Sequence, residues 1–263
     1  MRVVTWNCRG AVASSKVWNY LFALDPDVAL LQEVGSVPDL TAKGYQLVSR
    51  VAKRKNGKAQ RFTTAVLCKT DAVTEFSLSS SIPWVQRELD WFKGNLVSCV
   101  IQLRMYDRLH LVSVYSPAWA VDKSRIAEED TSKVKLTLND DVWVTDLLRS
   151  SLVEAFQDRK FPWIVGGDFN LSETFDSWPG GPRGNREYLD GMEGLGLTEC
   201  LKKIQGKLTP TFLNTDKRTH KHQIDHLFVT RELANTLSNC VVGEQSVFQE
   251  GLSDHLPIVA DFH

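Results

Sequence analysis

The chain has 263 residues, 43% of them hydrophobic, and its 31 Lys and Arg residues nearly balance 32 Asp and Glu residues. This length and apolar content are typical of a globular protein with a substantial buried core. The formal net charge of -1 argues against a protein that wraps nucleic acid through unspecific phosphate contacts, because such proteins are basic, but it allows an enzyme with a locally basic cleft.

Short apolar runs bounded by Gly, Pro, Asn, Asp or charged residues predict nine strands. They cover residues 2–7, 28–32, 45–48, 63–68, 96–103, 109–115, 163–166, 224–229 and 256–261. Helical periodicity follows Ser14 or Ser15, either of which can cap the segment, and recurs over residues 140–156 and from about 186 to 195. Many strands with unevenly placed helices favour an α/β sandwich over a regular parallel barrel.

Two polar stretches are predicted to be surface loops. Residues 50–61 carry six basic side chains and no acidic one, and residues 117–139 are charged and rich in turn formers. No repeat or long Pro, Gly or Ser linker divides the chain, so one domain over residues 1–263 is expected.

The five cysteines are far apart, odd in number and without a C-x-x-C pair, which predicts reduced thiols in the core instead of disulfides or a zinc cluster. No apolar leader follows Met1 and no stretch is long enough to cross a bilayer, so a cytoplasmic protein without membrane contact is expected. Nothing indicates an obligate protein partner.

Polar residues at strand ends are the first candidates for chemistry. Asn7 ends the first predicted strand and Glu33 ends the second. A carboxylate at the end of a buried strand is well placed to hold a hard cation at the edge of a sheet. Each residue taken singly could equally be part of a turn.

A second group follows the strand at 163–166. Asp168 and Asn170 are two positions apart, so on an extended backbone their side chains face the same way. Gly166 and Gly167 are predicted to let the backbone approach a ligand closely. The alternative is an Asp/Asn turn that ends the strand.

A third group combines Asp225 with the triplet Ser253, Asp254 and His255. The triplet alone could be a capped turn before the last strand. A carboxylate from a neighbouring strand beside His255 would fix the imidazole tautomer and stabilise its protonated form, as a phosphate-binding histidine requires.

The motifs W-N-x-x-G, Q-E, V-Y-S-P, G-D-F-N, T-F, I-D-H-L-F-V and S-D-H-x-P-I occur in that order from Arg2 to Phe262. This order resembles the endonuclease/exonuclease/phosphatase superfamily, which includes apurinic endonucleases, deoxyribonucleases, sphingomyelinases, inositol polyphosphate phosphatases and mRNA deadenylases. The resemblance implies a four-layer α/β sandwich in which two mostly antiparallel sheets face each other, with helices outside and the active site at one edge.

The resemblance also assigns metal ligands. It implies that Glu33 binds Mg²⁺ or Mn²⁺ directly, that Asn7 is a further ligand or orients the ligands, and that Asp254 lies near the metal. One divalent ion and a protonated histidine would supply the positive charge that phosphodiester hydrolysis needs.

The catalytic roles follow from the same motifs. Asp168 is expected to deprotonate or orient the attacking water, and Asn170 to hold that water or the phosphate. His255 is expected to contact the scissile phosphate, oriented by Asp225. Tyr115 stands where apurinic endonucleases carry a tyrosine, and its hydroxyl could contact phosphate or the leaving oxygen, although a buried strand-end tyrosine is an alternative.

The substrate is predicted less directly. After Asn170 the chain lacks the basic, asparagine-containing stretch of apurinic endonucleases, which puts abasic-site specificity in doubt. Basic residues at Arg54 and Lys55, and at Lys221 within the cluster Lys217, Arg218, His220, Lys221 and His222, suit a phosphate backbone. Four tryptophans that could stack on unpaired bases occupy loop-like positions, namely Trp84, Trp91, Trp119 and Trp178.

The sequence therefore predicts a Mg²⁺- or Mn²⁺-dependent nuclease that hydrolyses DNA or RNA. A phosphomonoesterase or a small-molecule phosphodiesterase of the same fold is the alternative. A non-catalytic nucleic-acid-binding relative is a third possibility, and its expected mark is the loss of Glu33, Asp168 or His255, all of which are present.

Overall fold

The structure is a computed structural model that describes residues 1–70, 72–103, 106–157, 159–179, 183–214 and 219–263. The strands are β1 Arg2–Ala11, β2 Val28–Val34, β3 Gln46–Lys53, β4 Ala59–Cys68, β5 Val73–Glu75, β6 Leu96–Leu103, β7 Tyr106–Tyr115, β8 Trp163–Asp168, β9 Leu197–Glu199, β10 Phe212–Asn214, β11 Thr219–His222, β12 Asp225–Thr230, β13 Leu237–Val242 and β14 Ile258–Phe262.

The α-helices are α1 Lys16–Leu24, α2 Pro83–Trp91, α3 Val144–Ala155, α4 Asn185–Gly194, α5 Cys200–Gln205, α6 Arg231–Ala234 and α7 Ser246–Gln249. Short 3-10 helices cover Thr41–Lys43, Lys123–Arg125 and Glu173–Ser177. Among the described residues, no helix has the length and apolar character needed to cross a bilayer.

The strands form two six-stranded sheets and a separate hairpin, β10–β11. The first sheet has the order β13-β14-β1-β2-β4-β3, with only β1 and β2 parallel. The second has the order β5-β6-β7-β8-β12-β9, with only β7 and β8 parallel. Both sheets are therefore mostly antiparallel.

Three apolar clusters define the layers. One lies between the sheets and combines residues such as Leu30 and Val66 with Leu111 and Leu227 of the opposite sheet. A second joins α1 to the outer face of the first sheet, and a third joins α2, α3 and α4 to the outer face of the second. The predicted four-layer α/β sandwich is confirmed, and the five cysteines are buried free thiols, as expected.

The helix predicted over 140–156 begins at Val144 instead. Trp143 has an extended backbone, and its N–H donates to the carboxylate of Asp146 at 2.9 Å. The Asp146 carboxylate thus accepts a hydrogen bond from a backbone N–H that has no acceptor within the helix, and this contact fixes where the helix starts. Ser15 is at the N-cap position of α1, but its hydroxyl accepts the N–H of Val12 and none from the helix.

The basic stretch at 50–61 is the turn and flanks of the β3–β4 hairpin, so the prediction of a loop is wrong there. Its charged side chains remain in solvent while the backbone pairs. The assignment of Trp84 and Trp91 to loops is also wrong, because both belong to α2. Trp91 packs between Lys53 of the β3–β4 hairpin and Arg125 of the 3-10 helix at Lys123–Arg125. Lys53 Nζ lies 4.0 Å and Arg125 Cζ 3.3 Å from its ring centroid.

Candidate active site

The strand alternation places several predicted site residues on the inner faces of both sheets. Asn7 shares its face of β1 with Val3, which is in the core between the sheets. Tyr115, Asp168 and Asp225 share faces with inner core residues of β7, β8 and β12 in the same way. The register pairs Asp168 with both Tyr115 and Asp225, so these side chains come from adjacent strands at one end of the sandwich.

Asp168 is held by amides from both sheets. Asn7 Nδ2 donates to its Oδ2 at 3.0 Å across the sandwich, and the Asn170 backbone N–H donates to its Oδ1 at 3.0 Å. The Asn170 side chain lies 3.3 Å from Oδ2 and donates to the carbonyl of Ser116 at 2.7 Å. Burial raises the pKa of Asp168 to about 7, against the opposing charge of His255.

The two glycines before Asp168 are required by packing between strands. A Cβ on Gly167 would lie 1.9 Å from the carbonyl oxygen of Val114, and one on Gly166 would lie 2.7 Å from Leu227. That they also admit a ligand to the backbone stays a prediction. They allow β8 to sit close to β7 and to the facing core, which sets the position of Asp168.

Glu33 and Asn170 have left-handed backbones, with φ of 51° and 50°. Non-glycine residues seldom adopt this conformation, and it commonly occurs where a fold fixes a functional side chain. The side chains of Asn7 and Tyr115 approach the carboxylate of Glu33 and favour its charged form. Burial raises the pKa of Glu33, and burial together with the charges of Glu33 and Asp168 raises the pKa of Tyr115, which keeps the phenol protonated.

His255 forms a buried pair with Asp225, with Nδ1 2.9 Å from Oδ2 and 3.1 Å from Oδ1. The Thr211 hydroxyl donates to Oδ2 of Asp225 at 2.6 Å and accepts the backbone N–H groups of Ile224 and Asp225. Burial alone would lower the pKa of His255, but the charge of Asp225 and its hydrogen bond outweigh it and raise the pKa to about 10. The pairing with Asp225 therefore favours the protonated, cationic form of the imidazole.

The segment that carries His255 is fixed through the first sheet. Ser253 Oγ donates to the carbonyl of Asn7 at 2.7 Å and accepts the N–H of His255 at 3.1 Å. Trp6 Nε1 donates to the carbonyl of His255 at 2.8 Å. Sequence reasoning gave no role to Thr211, Ser253 or Trp6, although each belongs to a motif of the superfamily resemblance.

The residues near Glu33 suit a hard divalent cation. Asp254 is close enough that its charge raises the pKa of Glu33. Arg9 Nε lies 3.7 Å from Oδ2 of Asp254. Carboxylate and amide oxygens are the ligands that Mg²⁺ and Mn²⁺ prefer, so the donor set of Glu33, Asp254 and Asn7 fits such an ion. Both ends of the Asn7 amide already make hydrogen bonds, since Oδ1 accepts the N–H of Arg9, which favours Asn7 as an orienting residue.

A second donor set lies beside it. One ligand atom each from Asp168, Asp225 and His255 lie within 4.8 Å of one another. The pairing of Asp225 with His255 and Thr211 commits much of this set to hydrogen bonds. The acidic edge therefore consists of a Glu33–Asp254 side and an Asp168–Asp225–His255 side, joined by Asn7.

The predicted substrate-binding residues lie farther out. Arg54 and Lys55 are exposed in the β3–β4 turn, where the charge of Lys55 acts on Asp122. Lys221 is exposed on β11. Lys217, Arg218 and the side chain of His220 lie outside the described residues, so much of that cluster stays a prediction.

Comparisons with known proteins agree with this architecture. The model of the endonuclease/exonuclease/phosphatase family matches residues 4–255. An AP endonuclease from Archaeoglobus fulgidus is 18% identical with a TM-score of 0.68, covering 100% of this chain and 99% of that one. The Xenopus laevis APE2 catalytic domain is 19% identical with a TM-score of 0.67, covering 100% and 91%.

The 3′ phosphatase NExo from Neisseria, in a structure bound to a product DNA hairpin, is 18% identical with a TM-score of 0.65, and the match covers 100% of this chain and 99% of that chain. No curated protein sequence matches the chain. At these identities the solved structures establish the shared fold.

Proposed function

Since the chain belongs to the endonuclease/exonuclease/phosphatase family, we propose that it is a Mg²⁺- or Mn²⁺-dependent nuclease that hydrolyses phosphodiester bonds of DNA or RNA. The observation that carries this proposal is the meeting of Asp168 with the buried Asp225–His255 pair, which puts a carboxylate base beside a preformed cation. A base that activates water and a cation that stabilises charge on the phosphate can act together only when they meet at one phosphate.

In the proposed reaction a water oxygen forms the new bond to phosphorus while the bond to the leaving oxygen breaks. Asp168 accepts the water proton, and a pKa of about 7 suits a base that works near neutral pH. The amide nitrogen of Asn170 donates to Ser116 and lies 3.3 Å from Asp168, so its carbonyl oxygen is the atom proposed to accept a hydrogen bond from the attacking water. His255 places positive charge against the nonbridging oxygens, and Asp225 holds its tautomer.

Glu33 and Asp254, oriented by Asn7, are the residues proposed to hold the divalent ion. When bound, the ion supplies positive charge at the phosphate and lowers the pKa of coordinated water. Tyr115 remains a protonated donor beside Glu33, available to a phosphate or leaving oxygen.

Nucleic acid as the substrate is supported by the kinds of enzyme that share the fold, which include AP endonucleases and a 3′ phosphatase bound to a DNA product. The exposed Arg54, Lys55 and Lys221 are proposed to contact the phosphate backbone. A cytoplasmic location belongs to the same proposal.

The test is a substrate panel with purified protein and Mg²⁺ or Mn²⁺. Single-stranded, double-stranded and abasic DNA, RNA and a phosphate monoester are incubated in parallel, with Asp168→Asn protein purified identically to expose contaminating nuclease. Metal-dependent cleavage of DNA or RNA by the wild type alone supports the proposal. Phosphate release from the monoester with every polymer left intact would overturn it in favour of a phosphomonoesterase.

A further inference from the structure

A cavity of about 260 Å³ opens next to Asn170, on the outer side of the second sheet. The starts of α3 and α4 and the 3-10 helix at Glu173–Ser177 enclose it. Its aromatic lining is supplied by Phe169, Phe175, Trp178 and Tyr188. Asn170 belongs to both this lining and the Asp168 cluster, so a molecule in the cavity would adjoin the proposed phosphate site.

The lining also carries a positive charge. Arg183 places its guanidinium 5.4 Å from the Trp178 ring centroid, and it lines the cavity together with the polar residues Asn139, Thr145 and Asn185. A cation beside aromatic rings suits a ligand that joins an aromatic ring to a phosphate.

Aromatic contacts connect the cavity with the catalytic histidine. Phe175 packs on Trp178 with centroids 4.4 Å apart, and His222 lies 4.8 Å from Phe175. His222 pairs in the β10–β11 hairpin with Phe212, whose ring lies 5.0 Å from that of His255. Packed aromatic rings thus connect the cavity with the proposed site for the scissile phosphate.

We infer that this cavity binds the nucleobase of a nucleotide adjoining the scissile phosphate, so that the enzyme acts on unpaired nucleotides. The inference rests on the proposed nuclease function. A nucleobase offers a π face to the rings of Phe175 and Trp178, and the phosphate of the same nucleotide can lie beside Asn170, whereas an aliphatic chain offers neither group. A base inside a duplex has its faces and edge already occupied, so it must be single-stranded or extruded to enter.

Binding is tested with a set of single-stranded oligonucleotides in which 2-aminopurine occupies each position in turn, added to Asp168→Asn protein with Mg²⁺. Stacking in the cavity should quench 2-aminopurine fluorescence. Trp178→Ala, placed in the same background, should abolish most of the quenching, while Trp178→Phe should keep it. Val153→Ala is the matched control, because Val153 is 42% exposed, as Trp178 is 41% exposed, and lies on α3 outside the lining.

Kinetics give an independent measurement. With catalytically intact protein, replacing the base at the quenched position by an abasic analogue should raise KM roughly tenfold or more, and Trp178→Ala should raise KM similarly for the base-bearing strand only. The abasic strand should be cut equally by wild type and Trp178→Ala. Cleavage that ignores both the base and the Trp178 variants overturns the base site and leaves the nuclease proposal standing.

The two proposals can fail separately. No cleavage of any polymer, together with quenching that Trp178→Ala removes, overturns the nuclease function and supports a nucleobase site. No cleavage and no quenching overturns both.

Discussion

The imidazole of His255 lies against the carboxylate of Asp225, with Nδ1 2.9 Å from Oδ2 and the pair almost fully buried. Asp225 belongs to the second sheet, and the backbone around His255 is held by Ser253 and Trp6 of the first-sheet side. The two halves of the sandwich therefore meet in one ion pair. Removing either charge would leave the other buried without compensation.

Asp225→Asn should lower the pKa of His255 from about 10 into a range that can be titrated, because the charge of Asp225 is the main group opposing the effect of burial. The measurement is NMR of the histidine rings in metal-free protein. We expect the wild-type ring to keep the chemical shifts of an imidazolium from pH 6 to 8, with only the smaller change that ionisation of Asp168 near pH 7 induces, and the variant ring to change to the shifts of a neutral imidazole. A wild-type imidazole that titrates near pH 6.5 would contradict the assignment of a preformed cation.

The same variant should be less stable than the wild type by about 3 kcal/mol at pH 6. The pKa of His255 is raised above the ordinary 6.5, so the stability that the charged pair contributes is complete below pH 6.5. This contribution is lost as the pH rises through about 10. The difference in free energy of unfolding should therefore shrink towards pH 10. Asp141→Asn, which breaks the exposed pair with Lys123, should change stability little at any pH and serves as the control.

Asp168→Asn should reduce turnover by a factor of at least about a hundred, because the amide cannot accept the proton of the attacking water. Its volume is unchanged and its carbonyl oxygen can still accept from Asn7, so the fold should persist. Initial rates on the substrate found in the panel and circular dichroism melting measure the two effects. A variant that keeps turnover within tenfold of the wild type would place the base elsewhere.

The catalytic edge was accessible from sequence because its residues follow from local patterns. Asn7, Asp168 and Asp225 each end or begin an apolar run, and the period of two residues in a strand fixes which face they share. The superfamily resemblance then implies that these distant strand ends meet at one place.

The hydrogen bonds that position Asp225 and Asn7 could not be predicted from sequence in the same way. Thr211 acts on Asp225 across 14 positions and Ser253 on Asn7 across 246, and no local periodicity encodes such pairs. The sequence predicts a loop over residues 50–61, where β3 and β4 in fact extend to the hairpin turn, because the charges there mask a backbone that pairs whatever its solvent-facing side chains are. The reason for Gly167 also lies in a neighbouring strand, at the carbonyl of Val114.

Arg54→Ala combined with Lys55→Ala should weaken binding to single-stranded DNA or RNA and reduce the slope of log affinity against log salt by up to about two. Both side chains are exposed in a turn closed by backbone hydrogen bonds between residue 54 and residues 57 and 58, so stability should not change. Fluorescence anisotropy titrations at several salt concentrations measure the slope. Lys16→Ala with Lys43→Ala removes equal charge from the region around α1, and a slope that responds equally to both pairs would show that the hairpin is not a specific contact.

Asp146→Asn should stabilise the protein relative to the wild type, and this gain should be larger at alkaline pH than at acidic pH. Asp146 is buried at the start of α3, one carboxylate oxygen has no partner within the described residues, and burial raises its pKa to about 7. A raised folded-state pKa in an acid means that stability is favoured below the ordinary 3.8 and declines as the pH rises through about 7.

Asparagine cannot ionise, and its carbonyl oxygen can still accept the N–H of Trp143 that begins the helix. Chemical unfolding should therefore give an advantage of the variant that is larger by roughly 1–3 kcal/mol at pH 8.5 than at pH 4, whereas a constant difference at the two pH values would show that Asp146 ionises normally.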